Sequence, residues 1–172
     1  MLKGIDPRMT PELMHCLMEM GEGDELAIVD AHFPAAATAA QTVWQTPIRL
    51  AGLDAPAAIG LITGLMPLDA RARHCALRME LDEDPRALGE VHRETLPIIM
   101  RSKPRLARVG RIRRELFLKR AAQAFAVVIT GETRPRGCFI LRKGMLAGND
   151  AEEGGGAQAE PPSEDSGSAR GA

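Results

Sequence analysis

Three short apolar runs, Leu26-Ala27-Ile28-Val29, Ala126-Val127-Val128-Ile129 and Phe139-Ile140-Leu141, constrain the fold of this chain more than any other feature. A strand with one face in water alternates apolar and polar residues, whereas an unbroken run reads as a strand covered on both sides. The segments between these runs carry helical signals. Thr10 can cap a helix whose first position is Pro11, with Leu13, Met14, Leu17 and Met18 at helical spacing until Gly21. Asp54 can cap a second within 54–69, with Pro56 near its start and Pro67 past its end, residues 84–100 read as a third, and 114–125 as a fourth that leads into the strand 126–130. Further strands are expected at 25–30, closed by Pro34, at 47–53, 74–81 and 108–112, and at 138–144. Helices alternating with short buried strands predict an α/β layered fold with a mixed central sheet flanked by helices.

Composition sets the limits of that domain. From residue 149 onward the chain holds six acids and one arginine among Gly, Ala, Ser and Pro, with no large apolar residue. Such a stretch cannot bury enough surface to offset its ordering entropy, so 149–172 is expected to be a disordered acidic tail behind a single domain of residues 1–148. Removing the tail's −5 from the whole chain's −1 leaves the body at +4. The chain has three cysteines, Cys16, Cys75 and Cys138, with no CxxC pair and no Cys/His spacing suited to zinc, which favours a reducing compartment and no metal. Asp6, Pro7 and Pro11 interrupt the start where a signal peptide needs an apolar segment, and no later stretch is long enough to span a bilayer. A cytoplasmic protein is expected. Tyrosine is absent altogether.

The acids around the first run raise a chemical question. Glu22, Asp24 and Glu25 precede it, and Asp30 follows it where the strand ends. They read either as a solvated loop or as a polar site.

Three separated segments, "MLKGIDPxxTPELM", "GxGDExxxxDAHFPA" and "RAAQAFAVVITGE", occur in an order that resembles the sugar mutarotase and pyranase family, which includes L-fucose mutarotase and D-ribose pyranase. "DAHFPA" and "FAVVITGE" bring the chain closer to the fucose branch. The resemblance implies a compact α/β subunit in a ring-shaped homo-oligomer, commonly a decamer, that interconverts anomers or ring forms of a monosaccharide without any cofactor. That reaction takes a proton from the anomeric hydroxyl and gives one to the ring oxygen, so it asks for a general base and a general acid on opposite sides of a small polar pocket.

The resemblance also assigns residues. The family's acid/base histidine falls at Glu22, the sugar-binding aspartate at Asp30 and the binding arginine at Arg114. The Tyr-Ala/Gly-Asn segment becomes Arg136-Gly137-Cys138, and a further tyrosine becomes Leu118. A carboxylate accepts two sugar hydroxyls and a guanidinium donates to two oxygens, so Asp30 and Arg114 suit the task. Glutamate ordinarily titrates near 4.3, about two units below histidine, so Glu22 serves as acid only if its surroundings raise it. Two readings follow from these changes: a mutarotase with a substituted proton carrier, or a sugar-binding or transport accessory protein of the same fold. His32 is expected in the site wall or an interface, and His15 in a structural role.

Residues 101–120 hold nine basic side chains and one acid. They could attract phosphate, or serve an interaction protein, but Phe117 is the one aromatic among them, which argues against a single-stranded nucleic-acid site. A solvated or inter-subunit face is the expected reading.

Overall fold

The computed structural model describes residues 2–146, so the expected tail at 149–172 lies outside the described residues. Elements follow in the order α1 (Pro11–Glu19), β1 (Glu25–Val29), α2 (Ala35–Ala39), β2 (Ile48–Leu50), α3 (Ala55–Thr63), β3 (Ala76–Met79), α4 (Glu90–Ser102), β4 (Val109–Ile112), α5 (Arg114–Ala122), β5 (Ala126–Thr130) and β6 (Phe139–Arg142). The strands form one sheet in the order β2-β5-β1-β6-β3-β4. β6 runs antiparallel to both of its neighbours, β1 and β3, and the remaining pairs are parallel, so five strands point one way and β6 the other. The mixed sheet expected from the sequence is the one observed.

The apolar runs are continuous because both faces of the sheet are covered. Leu26 and Ile28 point to a core shared with α1, α3 and α4, while Ala27 and Val29 point to a second core shared with α2 and α5. With so few aromatics, aliphatic side chains and alanines fill both layers. Thr10 caps α1 as expected, its hydroxyl accepting the N–H of Leu13 at 3.2 Å, and Asp54 caps α3 through the N–H of Ala57 at 2.9 Å.

Several boundaries differ from the sequence reading. The five-residue α2 was not expected, since it has no side-chain cap and too few residues to show a period. α3 stops at Thr63, where Gly64 caps it, one turn short of the Pro67 expected past its end. α4 begins at Glu90 rather than 84. Asp84 closes a local turn instead, accepting the N–H of Arg86 at 2.8 Å, and the buried Arg78 guanidinium takes the carbonyls of Pro85 and Arg86 that a helix would otherwise use.

Candidate functional site

Because five strands run in parallel, their carboxyl ends lie along one edge of the sheet, and β6 enters from that same edge. Asp30 directly follows β1, Arg114 opens α5 just after β4, and Arg136, Gly137 and Cys138 lead into β6. These five expected site residues therefore share the edge at which open α/β sheets bind ligands. The turn after β1 is tied to the first turn of α5 by an edge-on contact between Phe33 and Phe117, with ring centroids 5.8 Å apart. That contact brings the Asp30 and Arg114 segments together.

Asp30 is 6 % exposed. Its Oδ1 accepts the His32 N–H at 3.1 Å, an Asx turn that fixes the carboxylate at the strand end. Its Oδ2 accepts the Cys138 S–H at 3.3 Å, and its own N–H donates to Cys138 Sγ at 3.4 Å. Burial, and then the Asp30 charge, push the Cys138 thiol well above its ordinary range. Cys138 is therefore a protonated donor. Expected to line the pocket, it is instead 1 % exposed and holds Asp30 in place.

Arg136 sits in the left-handed region, with φ of 63°. Two contacts fix it there: its guanidinium pairs with Asp82, and its carbonyl accepts the Nε2–H of His92 at 3.0 Å. The other ring nitrogen of His92 accepts the Gly89 N–H at 3.2 Å at the start of α4, so the imidazole is neutral with its proton on Nε2. Burial lowers the pKa of His92, which keeps that form. Gly137 has no room for a side chain, since a Cβ there would lie 2.6 Å from Glu132 Cγ.

Glu132 is the hub beneath this turn. Only 2 % exposed, it accepts the backbone and side-chain N–H groups of Arg134 at 2.8–2.9 Å and the Ala55 N–H at 3.3 Å. The Arg134 hydrogen bonds outweigh the effect of burial and hold its carboxyl at about 2. Arg134 reaches on to Glu94 of α4 at 2.8 Å. Sequence reasoning passed over Glu132, Arg134, Asp82 and His92. For Glu132 a signal existed: it ends the apolar run of β5 much as Asp30 ends that of β1.

Arg114 is exposed and borders a hollow of about 150 Å³ with Glu80, Asp82 and Arg113. His32, also exposed, stands at the same edge with Nε2 3.2 Å from the Thr133 carbonyl. Leu118, where the family carries a tyrosine, is partly buried against the α2/α5 core. His15 lies far off on α1, edge-on to Trp44. Glu22 is the exception among the candidates. It lies before β1, at the opposite edge, with its side chain 39 % exposed and 3.7 Å from Arg71. The length of β1 alone puts roughly 15 Å between Glu22 and Asp30.

No cluster of His, Cys, Asp and Glu that could hold a metal ion occurs among the described residues. None of the described helices is long and apolar enough to cross a membrane.

Residues 3–146 match the model of the RbsD / FucU transport protein family. The L-fucose mutarotase of Histophilus somni (strain 2336) is 38 % identical over 149 residues, covering 84 % of this chain and 97 % of that protein. The fucose mutarotase of Homo sapiens is 37 % identical over 150 residues, covering 86 % and 96 %. Among solved structures, the Streptococcus pneumoniae fucose mutarotase in complex with L-fucose superposes with a TM-score of 0.75 at 33 % identity, covering 85 % of this chain and all of that one. Bacillus subtilis RbsD complexed with D-ribose shares the fold, with a TM-score of 0.65 at 18 % identity over 86 % of this chain. On the match across residues 3–146 and on identities of this size over nearly the full length of its relatives, the chain belongs to the RbsD/FucU family.

Proposed function

We propose that this protein is a monosaccharide mutarotase acting on a fucose-like sugar by general acid/base proton transfer. The observation that carries the reading is the gathering of Asp30, Arg114 and the Arg136–Cys138 turn along one sheet edge, in a chain whose relatives are named fucose mutarotases. Asp30 has each carboxylate oxygen already engaged by one donor, which fixes its plane and leaves lone pairs to accept sugar hydroxyls. Arg114 is free to donate to the ring or anomeric oxygen from the other side. The Arg136 guanidinium pairs with Asp82 and so acts as a charged wall. Glu22, the candidate proton carrier, lies too far away to serve the Asp30 of its own chain. It completes the pocket when a second copy brings its β1 entry against this edge, which is the role assigned here to a ring-shaped homo-oligomer. Exposed Met18, Val43 and Leu116 supply apolar surface for such contacts.

The second reading, a sugar-binding accessory protein without catalysis, rests on Cys138. Its S–H is spent on Asp30, so the segment offers a sugar fewer polar groups than an asparagine would. Saturation-transfer NMR with L-fucose separates the two, because it reports binding and anomer exchange together. A mutarotase accelerates exchange over buffer, and Asp30→Asn removes both binding and exchange. Binding without exchange leaves the accessory reading. Absence of binding at millimolar L-fucose refutes both for this sugar.

A further inference from the structure

The basic segment 101–120 is not absorbed by the sugar site. Of its nine basic side chains, Arg111 pairs with Glu80 at 3.2 Å and Arg120 with Glu25 at 2.7 Å; the other seven have no carboxylate within 4 Å among the described residues. The segment runs along β4, the last strand of the sheet, and there borders an open hollow of about 690 Å³. Arg73, His74, Arg78 and Arg111 line this hollow, with Leu96 and Met100 of α4 as its apolar wall.

Arg78 makes this hollow unusual. It is 6 % exposed, yet no carboxylate lies within 4 Å of it among the described residues, and a buried guanidinium without a counter-ion is costly. Its partners are carbonyls only: those of Met79 at 3.4 Å, Pro85 at 3.1 Å and Arg86 at 3.4 Å. These use three of the five guanidinium N–H groups, and Nε–H is not among them. Nε–H thus has no hydrogen-bond partner among the described residues. Glu80 pairs with Arg111, and the Glu80 and Asp84 carboxylates reach Arg78 only from beyond 4 Å, which leaves Arg73 and Arg78 as the cations of this wall without an ion pair among the described residues. Partial burial, then the positive charges of Arg73, Arg120 and Arg108, lower the pKa of His74, as expected of a field that repels a further cation.

The geometry points to an oxyanion site in this hollow, between β3, β4 and α4, which takes a phosphate group on Arg73 and Arg78 with His74 beside it. A tetrahedral dianion supplies a directly bonded counter-ion and accepts several charge-assisted hydrogen bonds at once. The absence of tyrosine, tryptophan and phenylalanine from the wall favours a single phosphate over a stacked nucleic-acid strand. The site does not depend on the mutarotase reading, since neither Asp30 nor Arg114 lines it.

Inorganic phosphate titrated into the full chain against chloride at equal ionic strength, followed by calorimetry and by the His74 imidazole resonances, tests this. Saturable binding of one phosphate per chain is expected, with the His74 titration midpoint moving up when phosphate is bound. Arg73→Gln, at an exposed position that leaves the fold intact, should weaken binding about tenfold, the loss of one charge-assisted hydrogen bond. Arg78→Gln should do at least as much, while Asp30→Asn should bind phosphate as the wild type does. A hexose 1-phosphate that binds tighter than inorganic phosphate identifies a sugar phosphate as the source, and equal affinities identify free phosphate; either result supports the site. Three outcomes overturn it: no phosphate effect beyond chloride, unchanged binding in Arg73→Gln with an unmoved His74, or tighter binding of an unstructured oligonucleotide than of either phosphate.

Discussion

Replacing Glu132 by glutamine tests whether the turn that carries Arg136 and Cys138 rests on a buried ion pair. Glu132 is 2 % exposed and its carboxyl is held at about 2, against the 4.5 of an unperturbed glutamate, chiefly by the Arg134 hydrogen bonds. At about 1.4 kcal/mol per pKa unit, the ionised form therefore adds about 3 kcal/mol to folding at neutral pH. Because the folded pKa is the lower one, that contribution is complete above the unfolded value and is lost as pH falls through the folded value. Glu132→Gln removes it at every pH. The difference in unfolding free energy between wild type and variant should thus be about 3 kcal/mol at pH 7, decline below about pH 5 and approach zero near pH 2. Urea unfolding at matched protein concentration, repeated from pH 7 down to the lowest pH at which the variant folds, measures it. In a domain of this size the loss at pH 7 corresponds to a melting shift of roughly 6–12 °C. A difference below 1 kcal/mol at pH 7, or one that does not shrink toward acid, would refute the reasoning and leave Arg134 as a solvated surface arginine.

Gly131→Ala should cost at least about 2 kcal/mol, because its Cβ would lie 2.2 Å from the backbone oxygen of Ala51 and neither chain can yield cheaply; thermal melts read this directly. All three cysteines are buried, and burial pushes the Cys16 thiol up to about 12 and raises those of Cys75 and Cys138. A disulfide reagent at pH 8 should therefore label none of them until denaturant is added, and rapid labelling of Cys138 in the native state would contradict the bond it makes to Asp30.

The layered fold was legible because both faces of the sheet are covered, which turns each central strand into an unbroken apolar run that can hardly be misread. Caps at Thr10 and Asp54 were legible for the same local reason: oxygen, position and proline all agree. α2 was not, because five residues of mostly alanine carry no period and take their helicity from packing on β5 and α5. The start of α4 was missed because a residue of another element, Arg78 on β3, competes for the carbonyls of 85 and 86. For the site, the acid at the end of the β1 run drew attention to Asp30, but the roles of Asp30, Arg114 and Arg136 came from the resemblance, and the topology then set all three along one edge. The network below them was invisible in the sequence, since Glu132, His92 and Asp82 come from three different parts of the chain and each holds a different group of the 134–136 turn. Cys138 shows the limit most clearly: the sequence places it before β6, and nothing in it tells that the thiol is buried and donates to Asp30.

The separation of Glu22 from Asp30 restricts what kind of assembly can complete the pocket. They lie at opposite edges of the sheet, so the two must come from different copies, and the contact must set the Glu22 edge of one copy against the Asp30 edge of the next. A head-to-tail contact joins unlike edges, and repeated contacts of that kind close into a ring. The proposed mutarotase therefore requires a contact between unlike edges of two copies, and this has a quantitative consequence. Glu22→Gln and Asp30→Asn should each abolish exchange of L-fucose anomers when alone. Denatured together in equal amounts and refolded into mixed rings, they should regain roughly a quarter of the wild-type rate, the fraction of contacts that pair an intact Glu22 with an intact Asp30. Mixing without exchange of subunits should give nothing. If Glu22→Gln by itself retains the wild-type rate, Glu22 carries no proton and the acid must come from the Asp30 edge itself; if the mixed rings stay inactive while each variant folds and assembles, the two residues do not share a site.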